Sequence, residues 1–288
     1  MEAAMIQYLY LGRVGYDEGL RLQAEIAALR YEGRVENVLL LLEHPPVLTL
    51  GRNANRSNVL ASDELLASRG VTLHDINRGG DVTYHGPGQL VGYPIFDLRS
   101  LSRPGGGRLG PVDFVRLMEE ALIRMCGVFG VPAGRIPGLT GVWCGLDSPV
   151  EGAGLGRKIG AIGIHVSRGI TSHGFAFNVT TDLRDFTLIN PCGITDRPVT
   201  RLKVELLGQD VTPPEELPSL ETVAHQAARQ FGLVFGQQVL AVEGLAALRA
   251  RAKAASAKAP GFPAEDTPLQ VPVEIERLRN TPDKPVRA

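Results

Sequence analysis

The sequence is poor in the features that would commit it to a disulfide scaffold, a metal ribbon or a membrane span. It holds three cysteines, Cys126, Cys144 and Cys192, in 288 residues. An odd number without dense spacing does not describe a disulfide framework. No C-x-x-C pair offers metal-ligand spacing, so no metal is expected. The formal net charge is −1, which leaves no global basic field for nucleic acid or a membrane surface. No run approaches the ~18 apolar residues needed to cross a bilayer. The first dozen residues lack a basic stretch followed by a long apolar one, so no signal peptide is expected. These absences lead us to expect a cytoplasmic protein with reduced thiols. Phosphate-cradling patterns are also missing: there is no G-x-x-x-x-G-K-[ST], and no G-x-G-x-x-G inside a βαβ unit. No internal repeat is present.

What the chain does have is glycine and proline, 34 and 20 residues, which point to tight turns and close backbone approaches. Hydrophobic residues at 44% and charged residues at 21% are ordinary for a globular protein. Apolar positions mixed with charges predict an amphipathic helix over residues 16–31. The run 38–42, ended by His44-Pro45-Pro46, reads as a core strand. Ser62 before Asp63 and Glu64, with Gly70 behind, marks a short helix. Strands are expected over 89–98, 138–144, 158–166 and 171–180, and residues 78–81 lead through 82–85 into the turn Gly86-Pro87-Gly88. The clearest helix spans 111–130, with Phe114, Met118, Leu122 and Met125 at helical spacing, and another is centred on 220–230. Glycine-rich, mobile connections are expected near 99–110 and 146–157. One domain over 1–249 would be followed by an Ala/Lys/Pro-rich tail, 250–288, without regular structure.

Cys192 lies in Asn190-Pro191-Cys192-Gly193, a turn signal that suits either a nucleophile on a tight loop or a small buried residue. Cys126 falls on the apolar stripe of the 111–130 helix and Cys144 ends a strand beside Trp143, so both read as structural. A nucleophilic thiol needs a nearby cation to become a thiolate. Lys158, at the entrance of the glycine-laced strand Ile159-Gly160-Ala161-Ile162-Gly163-Ile164, is a candidate, and a solvated loop lysine is the alternative. In Arg78-Gly79-Gly80-Asp81-Val82-Thr83-Tyr84-His85-Gly86 the glycines allow backbone to lie against a ligand. His85 there reads as an orienting group or a donor to a carbonyl. Asn178 and His173 read as supporting groups or as satisfied structural residues.

Taken together, four stretches resemble the lipoyl(octanoyl) transferase family, also called lipoate-protein ligase B. They are RGGDVTYHGPGQLVGYPIFDL at 78–98, GVWC at 141–144, KIGAIGIHVSRGITSHGFAFNV at 158–179 and NPCGI at 190–194. The resemblance covers roughly residues 6–235. It implies an α/β fold, a single mixed-sheet catalytic domain of the biotin/lipoate protein ligase type. By motif match it implies Cys192 as the residue that takes the acyl group and Lys158 as its partner. The slot for the substrate would be built from Arg78, Gly79, Gly80, Asp81, Val82, Thr83, Tyr84, His85, Gly86, Ala161, Ile162, Gly163, Ser172, His173 and Gly174. Val82, Tyr84, Ile162 and Ile164 are expected to line it. Arg52, Arg56, Arg78 and Arg99 would meet an acidic carrier at its mouth.

The implied activity moves an octanoyl group from octanoyl-acyl carrier protein to the lysine of apo lipoyl domains. The acceptors would be the E2 subunits of 2-oxoacid dehydrogenases and the glycine cleavage H protein. No cofactor and no ATP are expected, because the donor thioester is already activated. An ATP-dependent ligase of the same superfamily would tolerate loss of Cys192, and a non-catalytic acyl-binding protein would form no covalent adduct. A thiol hydrolase would need His85 or His173 as the partner of Cys192.

Overall fold

A computed structural model describes residues 5–103, 106–146, 156–191, 197–208 and 217–255. Among them, eleven strands and six α-helices alternate in a mixed α/β order. The strands are β1 (Met5–Arg13), β2 (Asn37–Glu43), β3 (Val47–Leu50), β4 (Thr72–Asp75), β5 (Val82–His85), β6 (Gln89–Ile95), β7 (Ala133–Ile136), β8 (Leu139–Cys144), β9 (Arg157–Ser167), β10 (Ile170–Asn178) and β11 (Gln238–Ala241). The helices are α1 (Tyr16–Tyr31), α2 (Asp63–Ser68), α3 (Pro111–Val128), α4 (Leu202–Leu207), α5 (Leu220–Phe235) and α6 (Leu245–Ala254). Eight strands form one sheet in the order β11-β1-β2-β6-β10-β9-β8-β7, and β4-β3-β5 form a second, smaller one. β1 pairs parallel with β2 and β11, and the rest of the large sheet is antiparallel.

The apolar run of β2 follows from burial on both sides. Leu39 and Leu41 join a core under α3 and α5, while Val38, Leu40 and Leu42 join a second core under α1 and α6. Pro111 opens α3 as a first-turn proline, and Asp113 accepts a hydrogen bond from the Gly110 N–H. Helix α2 starts where Ser62 Oγ accepts from the Leu65 N–H. Helix α5 runs on to Phe235, past the expected core of the helix, because Phe231 and Phe235 stack on each other and meet Phe96. Gly236, at φ 63°, then ends it. Strand β6 stops at Ile95 instead of 98, because the Asp97 carboxylate accepts from the Arg99 N–H and starts a 3-10 turn.

The expected domain boundary after 249 falls inside α6, whose Leu248 and Ala252 are buried in the α1-side core. Residues 256–288, most of the expected tail, lie outside the described residues, as do 104–105 and 147–155 of the two expected glycine-rich connections. The rest of the first connection is tied by a Ser102–Arg108 bridge. No described helix is long and apolar enough to cross a membrane.

Candidate active site

The small sheet lies over the large one, and between them is a cavity. Strand β5 shows how the sequence builds it. Successive side chains of a strand point to opposite faces. Thr83 and His85 line the cavity, while Val82 and Tyr84 face a third core with Leu48, Leu50, Leu66 and Phe186. Residues 51–54 and 78–81 form the roof, joined by Gly51 N–H to Asp81 O, Arg52 N–H to Arg78 O and Asn53 N–H to Gly80 O. The roof rests on β9 through a 2.9 Å bond from Gly79 N–H to Ile164 O. A Cβ on Gly163 would stand 2.6 Å from the Gly79 carbonyl oxygen, so glycine is needed for this approach. The Arg78 guanidinium is buried under the roof, donating to Thr49 O at 2.7 Å and to Thr49 Oγ1 at 2.9 Å.

Hydrogen bonds fix the state of the cavity histidines. Gln89 Nε2 donates to the backbone oxygen of Tyr84, which can only accept, and to Asn178 Oδ1. Gln89 Oε1 therefore faces His85, and His85 Nδ1–H donates to it at 2.8 Å. Asn178 is oriented in turn by donating to Thr200 O. His85 Nε2 is left as an acceptor, so it is not placed to donate to a substrate carbonyl as the sequence suggested. His44 Nδ1–H donates to Val14 O at 2.7 Å, and Tyr93 OH donates to His44 Nε2 at 2.6 Å. Burial lowers the proton affinity of all three cavity-side histidines. His44 falls to about 4, and His85 to about 3 with repulsion from His44. His173 falls to about 4, where burial is joined by Arg78. They are neutral near pH 7. His173 has a φ of 56°, a left-handed conformation inside β10. Its N–H bonds Gln23 Oε1 and its Nε2 bonds Asn77 Oδ1, which hold the ring at the cavity.

Lys158 is buried at 8% exposure in an adjoining cavity that shares Thr83, Ala161 and Ala176 with the first. A β-bulge decides which way it faces. Val142 pairs with Gly160 but Trp143 pairs with Lys158, so β9 carries one extra residue there. The bulge puts Lys158 on the same side as Ala161 and leaves Ile159 in the α3 core. Lys158 N–H bonds Pro198 O, and Thr200 N–H bonds Lys158 O. Pro191 and Val199 both line the Lys158 cavity. Cys192 itself lies outside the described residues. Cys126 and Cys144 are buried in the α3 core, and burial pushes the Cys144 thiol up to about 12 and Cys126 well above its ordinary value.

The structure thus gathers Arg78, Gly79, Gly80, Thr83, His85, Ala161, Ile162, Gly163, His173 and Gly174 around one cavity. It places others elsewhere. Val82 and Tyr84 do not line the slot, because strand alternation turns them into the small-sheet core, where Tyr84 OH donates to Asp185. Ile164 packs against the α3 core and does not line the cavity, whereas Ile162 packs against the same core and still borders the cavity. Asp81 ties the roof by accepting from Asn55 N–H and Asn58 Nδ2. Gly86 lies against the Tyr84 hydroxyl, where a Cβ would stand 2.1 Å away. Ser172 sits in register with His165 beyond the cavity lining. Of the arginines expected at the mouth, Arg78 is buried inside. Arg99 is paired with Asp97 and lies over Tyr31, at the far end of α1 from the cavity residue Tyr16. Tyr16 and Tyr93, which no sequence motif marks as functional, line the cavity, and Phe175 borders it while its ring stacks on Phe231 in the α3 core. His44, which holds Tyr93, shows in the sequence only as the end of the apolar run 38–42.

Comparison with known proteins fits this geometry. Solved structures with the same fold include a lipoate-protein ligase A bound with ATP, at a TM-score of 0.61 and 17% identity, covering 86% of this chain and 92% of that one. Another is a bipartite lipoate protein ligase from Thermoplasma acidophilum, at a TM-score of 0.57 and 17% identity, covering 86% of this chain and 90% of that one. The fold is therefore the mixed α/β fold of the biotin/lipoate ligase type. The family model "Lipoyl protein ligase A/B catalytic domain" matches residues 15–225. An octanoyltransferase of Acidobacterium capsulatum is 60% identical over 240 residues, 83% of this chain and 94% of the relative. One from Koribacter versatilis is 50% identical over 274 residues, 95% of this chain and 97% of the relative. The chain belongs to the lipoyl protein ligase A/B catalytic-domain family, with the lipoyl(octanoyl) transferases, and is an acyltransferase.

Proposed function

We propose that the chain transfers an octanoyl group from octanoyl-acyl carrier protein, through a thioester on Cys192, to the lysine of an apo lipoyl domain. E2 subunits of 2-oxoacid dehydrogenases and the glycine cleavage H protein are the acceptors in this reading, and the cytoplasm is its place. The observation that carries it is the shared cavity of Lys158 and Pro191, the residue next to Cys192, opening beside the glycine-roofed slot.

In this mechanism the Cys192 thiol gives its proton to Lys158, whose ammonium then steadies the thiolate. The thiolate attacks the octanoyl carbonyl carbon, a new C–S bond forms and the carrier's C–S bond breaks. The carrier's thiolate leaves and takes up a proton from Lys158. The acceptor amine then attacks the thioester carbonyl and gives up a proton to Lys158. An amide C–N bond forms, the C–S bond to Cys192 breaks and Cys192 is freed. Thioester for thioester is close to thermoneutral and thioester to amide is downhill, so no ATP is needed. The slot between roof and β9 holds the acyl chain against Val91 and Ala176. Arg52, exposed on the roof loop, faces the acidic carrier.

The test is to incubate the protein with octanoyl-acyl carrier protein and weigh it intact, with Cys192→Ser and Lys158→Ala beside it. An added octanoyl group that maps to Cys192 and is discharged by apo lipoyl domain is the expected result. Absence of the adduct, with octanoate ligation that requires ATP, would replace this mechanism by that of a ligase.

A further inference from the structure

Trp143, in the GVWC motif, has no part in the mechanism above, and it lines neither cavity. It is nonetheless placed under Lys158. Its neighbours in β8, Val142 and Cys144, point into the α3 core, so strand alternation turns the indole to the opposite face. The β9 bulge turns Lys158 to that same face, in register with Trp143. Lys158 Nζ lies 4.8 Å from the centre of the indole ring. A cation at that distance is attracted by the ring's negative face, and more strongly in a dry setting; Trp143 is 0% and Lys158 8% exposed.

The lysine stem is guided from below as well. A Cβ on Gly141 would stand 3.1 Å from Lys158 Cε and 2.7 Å from Gly160 O, and Gly141 has a φ of 134° that side chains rarely adopt. Its N–H is held by the fully buried Glu119 carboxylate at 3.0 Å, and Glu119 is held by Arg116 and Arg135.

The indole N–H gives the arrangement its meaning. Trp143 Nε1 is buried with no hydrogen-bond partner among the described residues. A buried tryptophan usually finds an acceptor, and an orphaned donor destabilises the fold. Phenylalanine would fill most of the space without that penalty. We propose that Trp143 is a positioning residue of the acyl transfer: its ring face holds the Lys158 ammonium at the cavity, at the expense of an N–H that has no partner among the described residues. This rests on the reading of Lys158 given above. The ring lies against the ammonium that accompanies the Cys192 thiolate, so its effect belongs to the rate of thioester formation and not to carrier binding.

The experiment compares Trp143→Phe and Trp143→Leu, each with and without Lys158→Ala, by single-turnover formation of the octanoyl adduct and by thermal unfolding. The expected rate constant falls about 3-fold in Trp143→Phe and about 10-fold in Trp143→Leu, with an unchanged KM for the carrier. Trp143→Phe is expected to melt at or above the wild-type temperature, so that stability and rate separate. In the Lys158→Ala background the residual rate is expected to be the same with Trp or Phe at 143. An unchanged rate in both Trp143 variants, a rate loss that follows a loss of melting temperature, or the same loss without Lys158 overturns the proposal. A wild-type rate in Lys158→Ala overturns the reading of Lys158 itself, whereas a slowed Lys158→Ala beside unaffected Trp143 variants overturns this inference alone.

Discussion

The two faces of the large sheet use the same strands for opposite ends. On the α3/α5 face, Phe96, Phe114, Phe177 and Phe231 are fully buried, Phe96 meets Phe114 and Phe231 edge to face, and both buried thiols are held protonated. On the other face, β9 and β10 carry Ala161, Gly163, Gly174 and Ala176 in the cavity lining, and the space they leave is ringed by His85, His173, Tyr93 and Arg78. One face fills its volume with aromatic rings. The other keeps small residues so that a roof, a slot and neutral histidines fit against backbone. Packing density stabilises the first. Satisfied polar networks maintain the second, and such networks are intolerant of losing one member.

Acid should separate the two faces most strongly. His44, His85 and His173 bind protons more weakly when folded than at the ordinary value of 6.5. Between pH 6.5 and about 4 the unfolded chain therefore takes up protons that the folded chain refuses. Their stabilisation is complete above pH 6.5 and is lost as pH falls, by up to about 1.4 kcal/mol per histidine per pH unit. Urea midpoints at pH 7, 6 and 5 should fall in that order, and His44→Gln should flatten the trend. A flat dependence would mean that these rings titrate freely.

On the packed face, Phe177→Ala should lower the unfolding free energy by about 3–5 kcal/mol, measured by urea denaturation. Gln89→Leu strands the Nδ1–H of His85 and the Asn178 amide oxygen, for roughly 1–3 kcal/mol. Unlike Phe177→Ala, it should slow acyl transfer by more than the unfolded fraction explains. Gly163→Ala should cost about 1–3 kcal/mol by forcing the Gly79 carbonyl off β9, and transfer should fall because the roof is the slot's upper wall. The smallest effect is on alkylation. Iodoacetamide should leave native Cys126 and Cys144 unmodified, and peptide mapping that found either labelled would contradict their burial.

Much of the scaffold was legible in the chain. The 3.6-residue period of 111–128, the Ser62 cap and the continuous apolar run at 38–42 each express a local rule, and each element stands where that rule puts it. β1, β3, β4, β7 and β11 were not legible as strands, because such segments take their identity from the neighbours that pair with them. The glycines at 79 and 163 announced a close backbone approach, and the contact of the roof with β9 is what they allow. The residues that meet under it come from α1, β5, β6, β9 and β10, and no local pattern records such a meeting.

By itself the sequence determined the class of chemistry to look for: motif glycines, a lysine opening one strand and a cysteine in a Pro-Cys-Gly turn. Tertiary structure decided the directions. Strand alternation sent Val82 and Tyr84 away from the slot, a single bulge turned Lys158 into the cavity beside it, and a backbone carbonyl, through Gln89, fixed which nitrogen of His85 is bare. The reason is geometric. Residue type sets what a side chain can do, but the face it reaches depends on register and on bulges, which only the pairing of distant strands defines.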